Sequence, residues 1–331
     1  MKILHITPHM GGGVGSVLTG WMDKVIAAND HWHRIVCLDY ANDKAKAWAD
    51  KTGFCLLDGT ESFPRLVGSM IADADIILCH YWDSPFLADL FADPIPDCRL
   101  AFWVHKHYPI SEKEIAFPDK CIGTSPIQFL PDYIWSTGNM SRFLAIKPKK
   151  HKGFNVGYVG TVDYKKMHPN IINMCDKIDI PDVHFIFIGD TQKGHDWISD
   201  GKFTFTGKVD DVTPYLTEMD VFGYPLRPDH YGTAEQSMGE AMAAGIVPVC
   251  MDNLAERLII QDSESGLLAK DEKDYIKCIK YLYNLPSERQ LMSDKARIHT
   301  KYLYSLDTMI PQWNNIFNDM MKKPKTSKGV L

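Results

Sequence analysis

Apolar runs and amphipathic stretches alternate along this 331-residue chain from its first residues. Lys2 to Thr7 is strand-like, and Pro8 to Gly15 is a turn rich in glycine (Gly11, Gly12, Gly13, Gly15). Ser16 to Ala28 then repeats Val17, Leu18, Trp21, Met22, Val25 and Ile26 at helical spacing. Further strands are predicted at 34–39, 54–57, 76–79, 100–105 and 120–124. Strand and helix in turn is the rhythm of a doubly wound parallel sheet. The basic stretch IKPKKHKGFN reads as a linker. A second alternating half follows, with strands at 156–160, 184–189, 203–206, 220–223 and 247–250 and a helix over Asn170–Lys177. Near the end, Met309, Ile310, Trp313, Ile316, Phe317 and Met320 form a helical apolar stripe that needs a partner. Its polar face (Asn314, Asn315, Asp319) lacks the cations of a membrane-surface helix, so a protein partner is expected. The last ten residues, KKPKTSKGVL, are predicted to be disordered.

Composition narrows the classes. An apolar content of 45% with 24% charged residues is ordinary for a soluble globular protein. A net charge of -6 argues against a dedicated nucleic-acid binder. No apolar run reaches the ~20 residues of a membrane span, and MKILHITPHM lacks the apolar core of a signal peptide. The eight cysteines form no CxxC pair, which fits reduced thiols in a cytoplasm, with at most peripheral membrane contact. None of the thirteen histidines falls in a zinc-binding spacing, so no metal site is expected. The first glycine turn is not G-x-G-x-x-G, which counts against a nicotinamide dehydrogenase.

The stretch Val221–Cys250 is the chemically informative one. It reads as strand, loop, helix (Ala234–Ala244) and strand, with Gly232 and Thr233 where the loop enters the helix. A helix N-terminus offers unpaired N–H groups and partial positive charge, which suits a diphosphate. Glu240, five residues after Glu235, can accept both hydroxyls of a ribose. The plainer expectation for both glutamates is a solvent-facing helix position.

The segment GEAMAAGIVPV (239–249), with Glu256, Ile260 and Ser265–Gly266–Leu267–Leu268, resembles the donor-binding signature of family 4 (group 1) glycosyltransferases. The resemblance implies an α/β protein of the GT-B fold, two Rossmann-like doubly wound domains facing a cleft. The first, the acceptor domain, would span 1–147; the second, for the nucleotide-sugar donor, 154–304; and a helix at 305–323 would return to the first domain. That signature pairs two glutamates. Glu240 matches the second, but the first falls on Gly232, so either Glu235 substitutes or the backbone around Tyr231, Gly232 and Thr233 serves. The family's arginine after the strand at 156–160 is replaced by Thr161, while Lys165 or, preferably, Lys166 matches its lysine. Further implied contacts are Val209 at the nucleobase and Gly12, Gly13 and Gly15 at the phosphates. A histidine beside the sugar would be His105, with His80 and His107 as competitors. Catalysis would then rest on His105, Lys166 and Glu235.

The expected activity is transfer of a sugar from a nucleotide diphosphate sugar, such as a UDP-sugar, to the hydroxyl of a glycan, lipid-linked or small-molecule acceptor. By resemblance it would be retaining, metal-independent and without a cofactor beyond the donor, in surface polysaccharide or other glycan assembly. The alternatives are a non-catalytic nucleotide-sugar-binding or scaffolding subunit and a nucleotide-sugar 2-epimerase.

Overall fold

The computed structural model describes residues 1–28, 31–59, 63–107, 109–192 and 197–331. The chain divides into two compact units, Met1–Asn139 with Ser305–Leu331, and Met140–Tyr304. The division precedes the basic stretch expected as a linker, because residues 140–146 belong with the second unit. There the Arg297 guanidinium donates to the carbonyls of Leu144 and Ile146 at 2.9 and 3.0 Å.

The first unit contains β1 (Lys2–Met10), β2 (Trp32–Ala41), β3 (Leu56–Asp58), β4 (Ile76–Tyr81), β5 (Ile95–Cys98), β6 (Leu100–Val104) and β7 (Lys120–Gly123). Six of them form a parallel sheet in the order β3-β2-β1-β4-β6-β7. The central strands are almost wholly buried because helices cover both faces. The second unit repeats the plan with β8 (Phe154–Val159), β9 (Val183–Ile188), β10 (Phe203–Phe205), β11 (Val221–Tyr224), β12 (Val247–Met251) and β13 (Leu267–Ala269). Its order is β10-β9-β8-β11-β12-β13, also parallel. In each sheet the first strand is central and the order reverses beside it, the doubly wound arrangement.

Three expectations are corrected. The glycine-rich turn at 8–15 does not exist as a loop. The strand runs on to Met10 and the helix begins at Gly12, so Gly12, Gly13 and Gly15 lie in its first turn. Pro8 is accommodated because the β1–β2 register shifts between Thr7 and His9, where its missing N–H leaves no ladder bond unmade. Gly15 is needed for close packing, since a Cβ there would lie 3.2 Å from the Met10 backbone. Second, the helix predicted from Ala234 starts only at Gln236. Third, the C-terminal residues are ordered. Thr326–Lys328 forms β14, antiparallel to β5, and the buried Lys328 ammonium meets Asp119 at 2.7 Å.

The apolar stripe of the helix Leu306–Met321 packs into the first unit's core. Trp313 stacks on Trp21 at 6.0 Å and meets Trp103 edge-on at 5.2 Å, with Phe317 beside it. All eight cysteines are free, five of them buried. Among the described residues no helix is long and apolar enough to cross a membrane.

Candidate active site

The second unit's unusual chemistry lies at the carboxyl ends of β8 and β11. Beyond β8 the chain turns at Gly160, and Gly189 after β9 packs so closely on it that a Cβ would stand 1.9 Å from the Gly160 oxygen. The loop that follows carries Lys166. It is tied to the loop after β11 by hydrogen bonds from Arg227 N to the Lys166 carbonyl (3.1 Å) and from His168 N to the Pro225 carbonyl (2.9 Å).

Glu235 is the N-cap of the helix Gln236–Ala243 and adopts left-handed backbone angles (φ 36°, ψ 63°), which costs a non-glycine residue on the order of 1–3 kcal/mol. That conformation turns its side chain inward, where it is only 1% exposed. One carboxylate oxygen accepts from Lys166 Nζ at 3.1 Å and from Tyr224 Oη at 2.5 Å. The other lies 3.7 Å from His230 Nδ1, and His230 Nε2 lies 3.2 Å from the buried Glu256. Burial pushes the Glu235 carboxyl up, but Lys166, then His230 and Tyr224, outweigh it and hold it below the usual range. A charged carboxylate is thus kept in the interior by paired charge and hydrogen bonds.

The geometry also says why residue 232 is glycine. A Cβ there would lie 1.4 Å from Glu235 Oε1. The Glu235 carboxylate therefore fills the space into which a side chain at 232 would project. The solvent-facing expectation for Glu235 is overturned.

Of the other residues singled out, Tyr231 is 55% exposed with its ring 5.7 Å from Lys166 Nζ, so it flanks the same group. Thr233 lies on the same loop, partly exposed. Lys165 points to solvent, whereas the Lys166 side chain is only 12% exposed. Thr161 is exposed, and its carbonyl accepts from Tyr158 Oη at 2.9 Å. Val209 lies in a separate loop beyond β10. Glu240 is partly buried on the helix, and burial lifts its carboxyl to about 7, opposed by Arg142.

His105 lies in the first unit, just past β6, with burial pushing its imidazole down to about 3. His80 is fully buried within β4, and His107 is partly exposed. Sequence reasoning missed Tyr224 and His230 and gave Glu256 no role. His230, two residues before Gly232, was the available signal.

Residues 153–284 match the family model described as "Glycosyl transferases group 1". No curated protein matches the chain. Among solved structures, a glycosyltransferase from Rickettsia africae is similar at TM-score 0.76 and 13% identity, over 97% of this chain and 99% of that one. Anabaena HepE in complex with UDP-glucose is similar at TM-score 0.76 and 14% identity, over 96% and 100%. Sucrose-phosphate synthase from Thermosynechococcus elongatus follows at 0.69 and 15%, over 97% and 99%. The fold is that of GT-B glycosyltransferases, two parallel α/β sheets of six strands each. The second unit carries a group 1 glycosyltransferase domain over residues 153–284.

Proposed function

We propose that the protein transfers a sugar from a nucleotide diphosphate sugar, a UDP-sugar in the first instance, to an acceptor hydroxyl, with retention and without a metal or further cofactor. The observation that carries this is the buried Glu235 carboxylate at a helix N-terminus, paired with Lys166 and seated over Gly232. Lys166 and the first amides of the helix Gln236–Ala243 stabilise the diphosphate as it departs, where developing negative charge meets a fixed cation and dipole. Glu235 takes the place of the family's first glutamate at the sugar, with the backbone of Tyr231, Gly232 and Thr233 beside it. Glu240 accepts the ribose hydroxyls, and the backbone near Val209 reads the base. His105 is the first unit's residue for the sugar. The support for the nucleotide is the bound ligand of a structural relative, Anabaena HepE with UDP-glucose. A glycan, lipid-linked or small-molecule acceptor and a place in surface polysaccharide assembly complete the reading.

The test is calorimetry and thermal shift with UDP, GDP, ADP and their sugars on wild type and on Glu240→Ala, followed by a transfer assay. UDP-specific binding that Glu240→Ala weakens is expected. No binding of any nucleotide would overturn the reading.

A second reading, a nucleotide-sugar 2-epimerase, is favoured by one observation: His230 lies between two buried carboxylates, Glu235 and Glu256. A new epimer of the donor forming in the absence of acceptor would select it.

A further inference from the structure

The first unit contains a feature that the transferase reading does not use. Three histidines on neighbouring strands and a fourth just past the next strand form one hydrogen-bonded line. His33 Nδ1 lies 2.8 Å from His5 Nε2, His5 Nδ1 lies 3.1 Å from His80 Nε2, and His80 Nδ1 lies 3.1 Å from His105 Nε2. The register explains why they meet. His33 pairs with Ile3, two residues before His5; His5 pairs with Leu78, two before His80; His80 pairs with Trp103, two before His105. Side chains two apart share a face, so the line climbs one face of the sheet, one strand and two residues at a step. Three such steps advance the backbone positions by six residues, roughly 20 Å along the strand direction, toward the carboxyl end.

The rings run head to tail, since every link joins one Nδ1 to one Nε2. Burial, with the neighbouring imidazoles adding to it, holds His5 and His80 well below the usual histidine range, and burial takes His105 down to about 3, so these three rings are neutral. A neutral imidazole carries one ring proton, as donor on one nitrogen and acceptor on the other. With His33 also carrying one ring proton, four rings have four ring protons for three links, and the fourth proton belongs to an outer nitrogen, His105 Nδ1 or His33 Nε2. Only two arrangements make all three links. In one, every ring is protonated at Nε2 and His105 Nδ1 presents a lone pair. In the other, every ring is protonated at Nδ1 and His105 presents an N–H. Trp21 stands edge-on to His5 at 5.1 Å and Trp103 packs 5.6 Å from His80, keeping the middle of the line dry. An unmade link there would leave a buried polar nitrogen unsatisfied.

We propose that His33, His5, His80 and His105 form a single proton relay, in which the first three are positioning residues that set the ring form His105 presents at the carboxyl end of the sheet. A proton taken from a substrate hydroxyl by His105 Nδ1 sends the Nε2 proton of each ring to the next, so that His33 takes up a proton at Nδ1 and gives up its own at Nε2. The reverse transfer restores the first arrangement. The use of the relay in turnover rests on the transferase reading. The coupling of the rings does not.

Nitrogen NMR of the full chain, histidine-labelled and without substrate, reads the coupling. Four neutral rings of one common tautomer, with through-bond couplings across the three N···N contacts, are expected; a mixed set of tautomers would overturn the relay. Two substitutions at the far end sharpen it. His33→Glu can only accept and should hold the remaining rings protonated at Nε2, whereas His33→Lys can only donate and should drive them to Nδ1. The same His105 ring form in both folded variants would overturn the proposal, and if neither folds, the wild-type tautomers decide alone. In the transfer assay the two variants should differ in kcat by about a hundredfold, the scale of general acid–base catalysis, with similar KM. Equal kcat despite opposite ring forms would overturn the part in turnover. A protein with the common tautomer but no transfer activity would overturn the transferase reading and leave the coupling standing.

Discussion

The two units share a strand order and treat buried polar groups in opposite ways. In the second, Glu235 brings charge inside and is paired with Lys166, with His230 lying between the buried carboxyl groups of Glu235 and Glu256. In the first, the interior row from His5 to His105 is kept neutral by burial and satisfied by ring-to-ring hydrogen bonds. Topology therefore does not decide site electrostatics. The side chains at a few strand ends do, and each solution fails differently when one member is removed.

The largest failure should follow loss of the buried cation. Lys166→Met leaves the Glu235 carboxylate without its amine, a change that costs about 3–5 kcal/mol where a buried pair is broken on one side. Chemical denaturation should show it, and nucleotide diphosphate binding should be lost. Adding Glu235→Gln should restore most of the stability, because no charge then remains unpaired, but not the binding. Full stability in Lys166→Met alone would mean that the pair is not buried in solution.

The neutral row should fail more gently. His105→Phe removes the last link and leaves one nitrogen of His80 without its partner. An unmade hydrogen bond of this kind costs about 1–3 kcal/mol. The comparison breaks if His105→Phe proves as damaging as Lys166→Met.

A smaller effect concerns Glu240, whose carboxyl burial lifts from 4.5 to about 7. Below the unfolded value both states hold the proton. Between that value and about 7 the folded state keeps a proton that the unfolded chain releases, so stability falls as pH rises through this window and levels above it. Glu240→Gln removes the fall. Its melting temperature relative to wild type should rise between pH 4.5 and pH 8, by about 2–4 °C for each kcal/mol. A constant difference across that range would mean that Glu240 titrates normally.

The second unit's site was the more legible because its signature is local. Residues 239–249 run through helix and strand in one segment, and Lys166 follows its strand at a fixed offset. What the sequence hid there was the left-handed cap at Glu235. Glutamate rarely adopts that conformation, and only the space left by Gly232 and the partners Lys166 and Tyr224 hold it. The first unit hid more. His33, His5, His80 and His105 are far apart in the chain, and their line exists only through inter-strand register, which periodicity does not reveal. The glycines at 11–15 misled for the opposite reason, since local turn propensity gave way to a helix packed against β1. The basic tail misled too, because strand pairing and Asp119 neutralise Lys328.

The smallest effect tests whether the second unit's charge balance is complete. Thr161 occupies the position where the resembled family keeps an arginine, and its side chain is exposed at the end of β8. If the diphosphate sits over Lys166 as proposed, Thr161→Arg adds a second cation beside it without disturbing the core. An exposed ion pair contributes about 0.2–1 kcal/mol, so the gain should be at most about fivefold in UDP affinity, largest at low salt. Titration calorimetry at two ionic strengths would read it. A loss of affinity would place the diphosphate elsewhere, and with it the assignment of Lys166.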